Sequence, residues 1–146
     1  MGWSDIKIEN SGKFLKIEGG SYADIHILDE HPKKELIHGF GETKVNCSGE
    51  GCHLCDDPET PEEMQLKERW KTNVLDRKDG RVKIFEFGPM IAGQIREISN
   101  MLKESQETVH DFDFRISAST GKQKKYTVMQ KKMISGIPEG LKLHKL

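Results

Sequence analysis

Residues 38–55, HGFGETKVNCSGEGCHLC, hold all three cysteines of the chain, Cys47, Cys52 and Cys55, within nine residues. Cys52-His53-Leu54-Cys55 is a C-x-x-C turn, which aims two thiolates at one point. Cys47 stands a C-x4-C step earlier, so a third thiolate can reach that point through the Ser48–Gly51 loop. Three sulfurs and one imidazole complete the closed tetrahedral shell that structural zinc prefers. Such a shell has no open position for a reacting water, so its expected role is to staple the chain. Three histidines compete for the fourth place. His53 lies between two ligating cysteines and is expected to point away from the metal. His31, beside Pro32 in a charged stretch, is expected in solvent. His38 is the preferred ligand, but nine extended residues span about 30 Å, so the chain must fold back between His38 and Cys47. Gly39 and Gly41 permit the turn, and Thr43-Lys44-Val45 can form the return strand. The competing readings are three ordinary thiols and a redox C-x-x-C; the latter lacks the βαβ setting of thioredoxin-like sites.

The rest of the chain bounds what this staple can serve. A length of 146 residues suits one domain with a real core. Three tightly grouped cysteines resemble a metal site more than a disulfide framework. No apolar run reaches the roughly 20 residues that cross a bilayer, and MGWSDIKIEN carries no targeting pattern. Gly2 lacks the Ser or Thr that myristoylation needs at position 6, which is Ile6. Reduced thiols point to an intracellular chain, expected in the cytoplasm. The net charge of −1 excludes a polybasic protein, but a basic groove can be offset by acids elsewhere.

Read in order, the chain alternates strands and turns. Phe14–Ile17 reads as a short strand. Ser21–Leu28 alternates Ala23, Ile25 and Ile27 against Tyr22, Asp24 and His26. DEHPKKE reads as a charged loop leading to the metal module. Residues 56–63 carry five acids and two prolines, a solvated connector, with a short helix expected from Pro61 to Glu68. Arg69–Asp76 and Arg81–Phe87 flank a turn ending in Asp79-Gly80, a hairpin signal. Pro89 opens a helix whose Ile91, Ile95, Ile98 and Leu102 form one apolar stripe. Asp111–Ser117 then points Phe112, Phe114 and Ile116 inward and Asp113, Arg115 and Ser117 outward. Lys124–Gln130 closes the set. Strands, one helix and two more strands is the order of an OB-fold, here a mainly β, α+β chain. It is expected to form a five-stranded barrel, with one main helix between strands 3 and 4 and a small zinc-binding insert. The domain is expected to span 1–130, the insert about 36–57, and 131–146 to form a basic tail.

Residues 21–130 resemble the zinc-containing single-stranded DNA-binding proteins of tailed phages and some archaea. The likeness runs through SYADIHIL, His38-Gly39-Phe40, Cys47 and Cys52-x-x-Cys55, then RWKTNVLDRKDGRVKIFEFG, the helix and VHDFDFRISASTGKQKKYTV. It implies an OB-fold, a zinc subdomain held by His38, Cys47, Cys52 and Cys55, and a sequence-tolerant grip on single strands. The short Cys47–Cys52 step departs from the family, as does a C-terminus bearing Lys142 and Lys145 in place of an acidic, partner-recruiting tail.

Binding single strands without sequence preference needs rings for bases and cations for phosphates, and each stacked base contributes roughly 1–3 kcal/mol. Tyr22, Arg69, Trp70, Lys71, Arg115, Lys122, Lys124, Lys125 and Tyr126 are the candidates. Trp70 can equally sit in the core with Val74, and Phe85, Phe87, Phe112 and Phe114 are expected there. Lys33, Lys34, Lys78, Lys83, Lys131 and Lys132 read as solvated surface. H-E-x-x-H, G-x-S-x-G and phosphate-loop patterns are absent from the sequence, and Cys52 follows Gly51 where a deaminase needs Pro. Asp111 and Asp113, expected toward solvent near Arg115, do not read as an acid–base pair. The expectation is a non-enzyme that protects transient single-stranded DNA in replication, recombination or repair. RNA is a second ligand class, and replication or recombination proteins are candidate partners. The rival is a zinc-stapled protein-interaction module with its aromatics in the core.

Overall fold

The computed structural model describes residues 13–39, 45–47, 52–59, 61 and 64–146. Seven strands form one sheet: β1 (Tyr22–Ile27), β2 (Lys33–His38), β3 (Val45–Asn46), β4 (Leu66–Asp76), β5 (Arg81–Phe87), β6 (Asp113–Ala118) and β7 (Tyr126–Lys131). Among the described residues the helices are α1 (His53–Asp56) and α2 (Pro89–Glu104), and Val109–Asp111 forms a 3-10 turn. All ladders between named strands are antiparallel, and β4 organises them. Its first half pairs with β2, from Lys33↔Lys71 to His38↔Leu66, and its last residues pair with β1. Its other edge carries β5 through the predicted hairpin. Gly80, at φ +72°, makes that turn, and its N–H donates to the Asp76 carbonyl.

The β-dominated class is as expected, but the five-stranded barrel is not. The five strands β5–β4–β1–β6–β7 lie in a row, and among the described residues no ladder joins β5 to β7. The helix α2 packs against that open edge. Its Gln94 amide donates to the Tyr126 carbonyl and accepts from the Val128 N–H, both at 2.8 Å. A side chain thus offers β7 the donor and acceptor that a neighbouring strand would have supplied. Gln94→Ala is expected to lower unfolding stability by about 1–3 kcal/mol, the cost of leaving such backbone groups unpaired. Gln94→Glu is expected to fare little better, because a carboxylate cannot donate to Tyr126; urea unfolding checks both.

The core lies between the sheet's inner face and α2. It contains Ile25, Ile27, Val74, Phe85, Phe87, Ile91, Phe114, Ile116 and Val128, with Ile95, Ile98, Phe112 and Trp70 packed on it. Three expectations need correction. Within the stretch read as a charged loop, Lys33–Glu35 begins β2, since pairing to β4 overrides a charged composition. No helix reaches Glu68, because Leu66 already starts β4. Phe14 makes only a single parallel bridge to Ile84 in place of a strand. Gly41, Thr43-Lys44 and Ser48–Gly51, which carried the expected fold-back, lie outside the described residues.

Asp113 is the fourth correction. It points away from the core but is 1 % exposed. Its carboxylate accepts two hydrogen bonds from Arg77, at 3.0 and 3.1 Å, and lies 3.1 Å from His26 Nδ1. The residues read as a C-terminal tail supply the cover. Ile134 N–H donates to Asp113, Arg77 donates to the Ser135 and Gly136 carbonyls, and His144 exchanges two backbone hydrogen bonds with the Asn73 amide. Beneath this strap Asn73, Leu75 and His26 are buried on what would otherwise be a bare outer face. Asn73 also donates from its backbone and its amide to Asp29, at the point where β4 changes partner from β1 to β2.

Burial pushes the His26 imidazole below its ordinary value, against the pull of the Asp113 carboxylate; Arg77 and His110 act in the same sense as burial. The unfolded chain therefore takes up this proton first as pH falls. Stability from this group is full above the ordinary imidazole value of about 6.5 and declines below it, through the folded-state value. Thermal melts from pH 7.5 down to 5 are expected to show a fall in midpoint that His26→Gln reduces.

Candidate metal centre and nucleic-acid interface

The four candidate ligands come from three places that the β2–β3 hairpin and α1 bring together. His38 ends β2, after which Gly39 takes φ +83° to turn the chain. The return strand β3 pairs His38 with Val45 and Ile37 with Asn46, and Cys47 N–H donates to the Leu36 carbonyl. Cys52 and Cys55 sit at the start and within the single turn of α1. The four ligand atoms, His38 Nε2 and the sulfurs of Cys47, Cys52 and Cys55, all lie within 4.8 Å of one another. His38 Nε2 is 3.4 Å from both the Cys52 and Cys55 sulfurs, and Cys47 Sγ is 3.7 Å from Cys55 Sγ.

His38 is fully buried, and its Nδ1 lies 2.7 Å from the Met64 carbonyl. A carbonyl can only accept, so Nδ1 carries the proton and Nε2 turns its lone pair toward the sulfurs. This is the outer-shell hydrogen bond by which proteins fix a ligating imidazole. The other two histidines considered are elsewhere: His31 is exposed beside Glu30, and His53 is exposed on α1. Desolvation, then the Cys47 and Cys52 sulfurs, push the Cys55 thiol up to about 12. A bound cation inverts that balance, because thiols deprotonate when they coordinate. The set is therefore suited to a thiophilic cation, and a metal site is its simplest use.

The nine nucleic-acid candidates fall into separate groups. Arg69, Lys124 and Tyr126 line one cleft of about 310 Å³ between β5, β7 and the start of α2, over a floor of Leu15, Ile17, Phe85, Phe87 and Ile91. Arg69 lies so close over Gly88 that a Cβ there would come within 2.9 Å of Nη1, so glycine makes room for the guanidinium. Trp70 is half-buried behind this cleft, stacked on Phe87 at 6.2 Å and 14°, with Lys34 Nζ 5.8 Å from its ring. Lys71 pairs with Glu35 at 3.1 Å.

Tyr22 and Arg115 form a second group. The guanidinium covers the Tyr22 ring at 4.0 Å while Asp24 accepts two hydrogen bonds from it, at 2.8 and 3.0 Å. The same Arg115 hydrogen bonds hold the Asp24 carboxyl below the usual carboxylate range. Arg115 is thus partnered within the fold, and Tyr22 is 58 % exposed with one face already occupied. Lys122 and Lys125 are exposed in the β6–β7 loop, where Ser119 and Lys125 exchange two hydrogen bonds. Asp111 and Asp113 are no pair: Asp111 closes a capping box with Thr108, and Asp113 binds Arg77. Neither Met64, which acts through its carbonyl, nor Asp24 and Glu35, which neutralise predicted contacts, carries a sequence pattern. Among the described residues no helix is long and apolar enough to cross a membrane. No protein-family model and no curated protein matches the chain.

Proposed function

We propose that the chain is a zinc-stapled single-stranded DNA-binding protein that protects transient single strands, with little sequence preference, during replication, recombination or repair. The observation that carries the reading is the convergence of Arg69 with Lys124 and Tyr126, from two distant parts of the chain, on one cleft with an aromatic and aliphatic floor. Cations beside rings are what sequence-tolerant binding of single strands requires. The row β5–β4–β1–β6–β7, with α2 between its third and fourth strands in chain order, supports an OB-type sheet left open on one side.

Zinc is the ion that fits. A tetrahedron built with Zn–S of about 2.3 Å and Zn–N of about 2.05 Å places sulfurs about 3.8 Å apart and nitrogen about 3.5 Å from sulfur. Three of the six separations, 3.7, 3.4 and 3.4 Å, agree with it, and all lie within 4.8 Å. His38, Cys47, Cys52 and Cys55 would hold it with no open position, so its contribution is to fasten the β2–β3 hairpin to α1.

Titration with oligo-dT tests the reading through Trp fluorescence. Binding that weakens steeply with salt is expected, because neutralised phosphates release counterions. A flat titration into the tens of micromolar range would favour the rival protein-interaction module, to which the exposed Leu36, Val45 and Leu66 on one face of the arm lend some support. A matched RNA oligomer in the same experiment decides between DNA and RNA.

A further inference from the structure

The cleft between β5 and β7 is a pocket as well as a stretch of groove. It is bounded by β5 and the start of α2 on one bank and by Lys124 and Tyr126 on the other, and it exists because no ladder closes β5 onto β7. Its volume of about 310 Å³ sits at the lower end of the roughly 300–1,000 Å³ range of small-ligand sites, enough for one nucleoside. Its walls are divided by chemistry. Leu15, Ile17, Phe85, Phe87, Pro89 and Ile91 give a hydrocarbon interior, whereas Arg69 and Lys124 contribute the cationic groups.

Arg69 is the anchored cation and Lys124 the exposed one. Gly88 leaves room for the Arg69 guanidinium, and Glu86 lies 3.5 Å from its Nε. A flat body of low polarity joined to anions matches an apolar cavity flanked by cations; Glu86 also lines the cleft and pairs with Arg69 at 3.5 Å, so a phosphate there would compete with that carboxylate for the guanidinium.

We infer that this cleft captures a single nucleobase of a bound strand, inserting it edge-first onto the Phe85–Phe87 floor while Arg69 and Lys124 take the phosphates on either side. The inference rests on the single-strand-binding reading and adds to it a defined subsite. Bases that only lay on surface rings would leave the cavity unused. The floor of Leu15, Ile17, Phe85, Phe87 and Ile91 carries no polar side chain, so the subsite reads size and apolarity and leaves base identity largely unread. This is consistent with a protein that must accept any sequence.

Met90 lines the cleft and is 52 % exposed, so Met90→Trp can fill the cavity without cutting into the core. The full chain is titrated with an oligo-dT of about eight nucleotides and with an all-abasic backbone of equal length. The wild type is expected to bind oligo-dT at least tenfold more tightly than the abasic strand. Met90→Trp is expected to lose most of that preference and to keep its affinity for the abasic strand. A Met90→Trp protein with the preference intact overturns the subsite and leaves single-strand binding standing. A wild type that binds neither strand overturns both.

A second measurement guards against a misfolded variant. Thymidine monophosphate added to the wild type should shift the amide resonances of Ile17, Phe87 and Ile91, whereas inorganic phosphate should not. Equal shifts with both ligands, or none with the nucleotide, would overturn the subsite.

Discussion

Cys52→Ser is expected to release the metal entirely, taking the content from one ion per chain to none by elemental analysis. Apart from the β2–β4 ladder, the arm it fastens has little else to hold it. Val45 is 48 % exposed and Leu66 46 % exposed, and β3 is two residues long with two registered pairs to β2. Structural zinc sites release roughly 10–16 kcal/mol of apparent binding free energy in small metallopeptides, well above what a short exposed hairpin can supply. Amide exchange should therefore rise by two or more orders of magnitude, about 3 kcal/mol or more, in 33–38, 45–47 and 66–69. The core strands β1, β5 and β6 should change far less, because their contacts do not pass through the arm. His38→Ala should do the same, whereas His31→Ala and His53→Ala should keep the metal. A Cys52→Ser chain with full metal content, or with unchanged exchange in the arm, would show that the cluster is not a staple.

Removing one half of the Arg77–Asp113 pair should have the largest effect outside the metal centre. The side chains are 8 % and 1 % exposed, and breaking a buried pair by deleting one partner costs about 3–5 kcal/mol, since the remaining charge is left without compensation. Asp113→Ala strands Arg77, His26 and the Ile134 N–H together. Arg77→Met strands the carboxylate and frees the Ser135 and Gly136 carbonyls. Either variant should unfold at markedly lower urea, with early loss of protection in 133–144. The double change Arg77→Met with Asp113→Leu should recover much of the loss, because apolar replacement of a buried pair is often neutral. Single variants within about 0.5 kcal/mol of wild type would mean that the strap, and not the ion pair, maintains this face.

Local patterns carried much of this protein in plain view. Alternation fixed the inward faces of Ala23–Ile27 and Phe112–Ile116, Asp79-Gly80 marked the β4–β5 hairpin, and the Ile91–Leu102 stripe marked α2, because each is a short-range consequence of strand or helix period. The four ligands were likewise within reach, since C-x-x-C, a third nearby cysteine and a histidine beside glycine describe one local module. The strand Lys33–His38 was hidden, because its charges, Lys71 opposite Lys33 and Arg69 opposite Glu35, are placed by the register with β4. Asp113, Arg115 and Lys71 were read as solvated or available, yet each finds its partner across the sheet at Arg77, Asp24 or Glu35.

What the sequence determined by itself, then, is the central strands β1 and β4–β7, the helix α2 and the clustering of one histidine and three cysteines, all of which depend on neighbours a few residues apart. Tertiary structure alone decided that the row of strands stays open, that Gln94 caps its edge, and that 133–144 covers the outer face. It also decided which of nine polar and aromatic candidates share a cleft. Those outcomes depend on groups tens of residues apart meeting at hydrogen-bond distance, and no local period encodes such a meeting.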